Sequence, residues 1–181
     1  MADVKQLVGE AAAARERVMS RVRDLSVDQA TFRPAPGEWS IAEVVEHLVR
    51  AEQSGIALIW RAADGVRRGR PVWSGEHVHR GLSIETIVER TWGPKAEAPD
   101  NARPHLNAAL DYWANLLAGF QPILERLVAV LDGLDLEAVI APHVISGPLD
   151  ARQRLEFLRF HMELHRRQIE DVMRASGYPR S

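Results

Sequence analysis

The sequence predicts an all-α protein, a four-helix bundle with a long connection between the second and third helices. Three observations point there. Four long stretches carry apolar residues at helical spacing with charges between them. Clusters of Pro and Gly separate those stretches. No run shows convincing strand alternation, and no segment repeats.

The first helix is expected over residues 3–25, where Leu7, Val8, Ala11, Val18, Val22 and Leu25 hold the period and Asp3 suits the N-terminus. Pro34, Pro36 and Gly37 then mark a loop. The second helix has the clearest start. Ser40-Ile41-Ala42-Glu43 reads as a capping box, and Trp39 before it is placed to staple onto Val44. This helix fades over residues 67–69. Residues 69–104 form a long crossover punctuated by Gly and Pro, with one short helix expected over 83–91. A connection of that length is functional or topological. The third helix is expected to open at Pro104 and close at Gly133, kinked at Pro122, which lacks an N–H and clashes one turn back. A connection holding Pro142, Gly147 and Pro148 follows. The last helix is expected over residues 150–176, stopped by Gly177 and Pro179.

The 181 residues suit one domain, 1–181, with the crossover as an insert. The chain is 46% hydrophobic and 27% charged, with a net charge of −2. That balance leaves no electrostatic footprint for nucleic acid, and Arg67, Arg68 and Arg70 read as cations at a helix end. Cysteine is absent, which excludes disulfides, thiolate metal sites and cysteine nucleophiles. It also fits a cytoplasmic protein. The first ten residues show no signal pattern, and no uninterrupted apolar run approaches the roughly 20 residues of a membrane span, so no membrane partner is expected.

Histidines carry the chemistry. His161 and His165 lie four apart on the inward stripe with Leu158, Met162 and Ile169. Such a pair sits about 5–6 Å apart and can close on one metal ion at about 2.0–2.1 Å per bond. The alternative is two core histidines hydrogen-bonded separately. His47, from the second helix, would be a third ligand. On spacing alone it reads equally as a boundary histidine bonded to a neighbouring helix. Three ligands with one open position is a catalytic arrangement. His77, His79, His105 and His143 lie outside the long helices and read as loop residues. The pair is not HExxH, since Met162 follows His161; Glu163 projects away, Glu43 belongs to the capping box, and Gln168 is placed to hydrogen-bond His165.

Taken together, Trp39-Ser40-x-x-Glu43-x-x-x-His47-Leu48 resembles the start of helix two in the DinB-like and YfiT-like metalloenzyme family. His161-x-x-x-His165-Arg166-x-Gln168-Ile169 is similar to that family's last helix, and the segment 143–149 to its preceding connection. Val144 departs from the Pro often found after that connection's histidine, which puts a role for His143 at the site mouth in doubt. The resemblance spans nearly the whole chain. It implies the bundle, a divalent metal (nickel or zinc) on His47, His161 and His165, and a homodimer.

The resemblance does not choose a reaction. A low-molecular-weight-thiol-dependent transferase acting on a small-molecule substrate is slightly favoured, with Arg50 and Arg166 near the triad in sequence as cations for an anionic thiol. The alternatives are a metal-dependent hydrolase and a non-enzymatic metal-binding, stress-response bundle. Trp73, Trp92 and His77 of the insert are candidates for the pocket wall, or else ordinary packing.

Overall fold

The computed structural model describes residues 3–93, 97–106 and 108–180; Pro94 and Lys95 of the crossover lie outside them. Helix α1 spans Val4–Val22 with Asp3 as its N-cap. A five-residue helix, α2 (Val27–Thr31), follows, and the sequence reading had no place for it. A helix this short is marginal alone. It stands because Ser26 and Gln29 form a reciprocal capping box and the Gln29 side chain donates to the Pro179 carbonyl at 3.2 Å.

Helix α3 (Ile41–Arg67) begins at the expected Ser40–Glu43 box, and Trp39 packs on the cluster holding Val44. It closes on Gly69, whose φ of +67° suits only a residue without a Cβ. In the crossover, α4 (Ile84–Thr91) lies where expected, and Asp100–Ala102 form one 3-10 turn.

The third long helix differs in two ways. It begins at Leu110, not Pro104. The buried Glu46 carboxylate takes the backbone N–H groups of His105 (2.8 Å) and Leu106 (3.1 Å), which holds that segment out of helical conformation. It is also split rather than kinked, into α5 (Leu110–Gly119) and α6 (Gln121–Leu131). Pro122 falls in the first turn of α6, where a missing N–H costs nothing.

The connection before the last helix is a β-hairpin, β1 (Ile140–His143) and β2 (Gly147–Asp150), a correction to the expectation of no strand. Pro142 and Pro148 face each other across it. A pair that needs no ladder bond tolerates both prolines. Helix α7 (Ala151–Arg174) starts at Asp150, boxed with Gln153.

The bundle is α1, α3, α5–α6 and α7. Two apolar clusters fill it. Leu7, Ala11, Ile56, Ile59, Leu124, Leu127, Leu155 and Leu158 make one. Val18, Val22, Val44, Leu48, Trp113, Leu117, Met162 and Ile169 make the other. That order shows α1 and α7 running parallel, and α3 and α5–α6 running parallel to each other and opposite to the first pair. The long connection therefore crosses the length of the bundle, as expected. Between the clusters lies a polar waist. Arg15 (3% exposed) forms a forked ion pair with Glu52 (2% exposed) and donates to Gln121 at the α5–α6 break. Burial pushes the Glu52 carboxyl up, and Arg15 pulls against that shift.

Among the described residues, one stretch, Leu110–Leu131, is long and apolar enough by length and composition to cross a membrane. Here it is broken at Phe120 and packs inward through Trp113, Leu117, Leu124, Leu127 and Leu131.

Candidate metal centre

His47 lies two turns into α3, a position set by the Ser40 cap, and His161 and His165 lie mid-way along α7. All three are buried, at 4%, 7% and 9% exposure. Their Nε2 atoms converge: His47 to His161 is 3.1 Å and His165 to His161 is 3.1 Å. Ligand atoms of all three lie within 4.8 Å of one another. A tetrahedral ion with bonds of about 2.0–2.1 Å sets its ligand nitrogens about 3.3 Å apart. The three imidazoles therefore have the geometry to hold a metal ion.

The outer nitrogens fix which atoms face inward. His47 Nδ1 donates to the Ala102 carbonyl at 2.8 Å, and His165 Nδ1 donates to Gln168 Oε1 at 2.7 Å. Each bond keeps the proton on Nδ1, so each Nε2 turns a lone pair inward. His161 Nε2, between them, has one proton at most to offer. Two lone pairs and a shared third nitrogen make a donor set that suits a cation. Burial also holds the rings neutral, as ligands must be. It is the largest cause lowering the pKa of His47, of His161 well below its usual value, and of His165 to about 3. Gln168 was readable from its spacing. Ala102, from the crossover, was not, because no local pattern marks a carbonyl as a partner.

The acids near the triad are committed elsewhere. Glu43 stays in its capping box and pairs with Arg33, and Glu163 pairs with Arg17 and Arg166. The two arginines suggested by sequence are also engaged. Arg166 lies between Glu163 and Glu170, and Arg50 lies against His105 and Glu46.

The triad opens on a cavity of about 1180 Å³ whose walls include Trp39, Leu58, Trp92 and Phe157. Trp92 is the pocket-wall candidate from the insert that reaches it. Trp73 packs on Gly75, and His77 Nε2 meets Gln153 Oε1 at 3.2 Å. His79 anchors the insert to the hairpin through the Ser146 carbonyl at 2.7 Å.

Two more residues line the cavity: His143, read from sequence as a loop residue, and Arg154, which the sequence did not single out. His143 sits in β1, outside the triad. Its Nδ1 accepts the N–H groups of Ile145 (3.3 Å) and Ser146 (3.1 Å), which leaves the proton on Nε2. Burial first, and Arg154 second, lower its pKa to about 3. Arg154, 3% exposed, has no hydrogen bond or ion pair among the described residues, and burial lowers its pKa to about 10.

The model of the DinB superfamily matches residues 10–169. The chain is also 24% identical over 164 residues to YuaE, an uncharacterized protein of Bacillus subtilis (strain 168), covering 88% of this chain and 92% of that one.

Proposed function

The chain belongs to the DinB superfamily, and from that premise we propose that it is a divalent-metal enzyme whose ion is held by His47, His161 and His165. The observation that carries this is the pair of outer hydrogen bonds, from His47 to Ala102 and from His165 to Gln168, which aim two lone pairs at one point. Three imidazoles suit zinc or nickel. An ion bound there would supply Lewis acidity, enough to deprotonate a small thiol or bring the pKa of a water to about 7.

What the chain itself offers favours thiol transfer over hydrolysis. Hydrolysis wants a positioned base. Of the carboxylates on the cavity wall, Glu52 is forked onto Arg15, Glu97 pairs with Arg103, and Asp171 pairs with Arg174. Glu38 is exposed. An acidified thiol needs no such base, and it comes from outside a protein without cysteine. The apolar walls at Trp39, Leu58, Trp92 and Phe157 would exclude water around the electrophile. The homodimer stands as part of the same proposal, supported by exposed Tyr112, Leu116 and Ile123 at helical spacing along α5–α6.

Elemental analysis of the untagged protein, beside a His161→Ala, His165→Ala variant with unchanged circular dichroism, tests the centre. One zinc or nickel per chain, lost in the variant, is expected. No metal in either after incubation with both ions would refute it.

A further inference from the structure

A buried guanidinium normally has a carboxylate or several carbonyls around it, because an unpaired buried charge is expensive. Arg154 has neither among the described residues, and its Nε is sealed from solvent without a partner. The buried carboxylate on the cavity wall, Glu52, has both oxygens on Arg15. Gly55, one turn after Glu52 on α3, faces this side chain: a Cβ there would stand 3.2 Å from Leu158 Cδ2 and 3.9 Å from Arg154 Nη2. The fork thus lies at the cavity wall beside Gly55 and Leu158. Arg15 and Glu52 pair with each other, and Arg154 has no countercharge of its own among the described residues.

Arg154 and His161 are seven residues apart on α7 and share its face, about 10 Å apart along the axis. Both line the same cavity.

We propose that Arg154 is the anion-binding residue of this cavity, receiving a carboxylate on the ligand whose other end reaches the three histidines. The planar fork of arginine matches a carboxylate in a two-bond geometry. A monoanion matches the single unpaired guanidinium in charge. The ligand class is therefore a small organic acid with a metal-seeking group, such as a thiol, at some distance from the carboxylate. This assignment rests on reading the cavity as the substrate site, and it replaces Arg50 and Arg166 as the cation for an anionic thiol.

The test compares acids with their matched amides. 3-Mercaptopropionate, 6-mercaptohexanoate and the two corresponding amides are titrated calorimetrically into the zinc-loaded protein, its Arg154→Met variant and its Arg154→Lys variant. At the better chain length the unaltered protein should bind acid about 10–100-fold more tightly than amide, as expected for hydrogen bonds to a charged group. Arg154→Met should bind both alike with zinc content unchanged, and Arg154→Lys should keep part of the preference. A parallel arm needs no metal. Butyrate should raise the melting temperature of the metal-free protein and leave that of Arg154→Met unmoved, so loss of zinc binding would overturn the proposed function without touching this assignment. Without ligand, Arg154→Met should melt higher than the parent, because it removes an unpaired buried charge. A lower melting point would mark Arg154 as structural. Equal binding of acid and amide by the unaltered protein, a preference retained in Arg154→Met, or inorganic phosphate displacing the acids would each overturn the proposal.

Discussion

Metal-free protein should lose stability steeply as pH falls from 6 to 5. His143 and His165 have folded pKa values of about 3 against an ordinary 6.5. A base with a depressed folded pKa stays neutral in the native state while the unfolded chain takes up its proton. Its contribution is therefore intact above pH 6.5 and is lost progressively below it, down to the folded value. Between pH 6 and 5, linkage gives about 1 kcal/mol for each residue, so about 2 kcal/mol together. In a chain of this length that equals a fall of roughly 4–8 °C in melting temperature. His47 and His161 are shifted the same way and add to the fall. Glu52, Asp150 and Glu156, raised by burial, act with the opposite sign, favouring the fold as pH drops through their raised values. The differences between variants isolate the histidines. Thermal melts of chelator-treated protein at pH 7, 6 and 5 should show His143→Gln and His165→Gln each removing about 1 kcal/mol of the acid loss. Zinc should raise the whole curve without flattening it, because a metal-bound His165 also stays deprotonated while the unfolded chain takes up its proton. A parent curve no steeper than those of the variants would show that these rings titrate normally, and the reasoning would fail.

Two further predictions concern the waist and the triad. Glu52→Leu leaves Arg15 charged and unpaired, and should cost about 3–5 kcal/mol in urea melts, while Arg15→Met with Glu52→Leu should regain most of it; equal loss in both would mean the pair is not what matters at the waist. Gln168→Leu should weaken zinc binding by about 10–100-fold in chelator competition, since nothing then fixes the His165 tautomer; unchanged affinity would show that Gln168 does not orient the ring.

The long helices were legible because each carries an apolar stripe and a local start signal, as Ser40 with Glu43 shows. His161 and His165 were legible because four-residue spacing on such a stripe puts both inward. What escaped depends on partners distant in sequence. Glu46 reaches across 59 residues to the His105 N–H and delays α5. The Ala102 carbonyl orients His47 across 55 residues. Pro142 and Pro148 argued against strands, yet their opposed positions suit a hairpin. Arg154 reads as one of many arginines on α7, and only the absence of a partner distinguishes it.

The seam between α1 and α7 joins the earliest and latest helices of the fold to be synthesised. Arg17 meets Glu163 across 146 residues, and just beyond the two helices Gln29 of α2 meets the Pro179 carbonyl across 150. Loop entropy must be spent before such distant contacts return anything, which slows folding. Without α7, the apolar faces of α1, α3 and α5–α6 that it covers would line an open trough. A nascent chain in that state is a natural client for a chaperone. α7 carries two of the three histidines, so closing the trough and assembling the triad are one event. If the triad holds an ion as proposed, its capture would report completed folding, and a chain stalled short of its last helix would lack two of the three ligands.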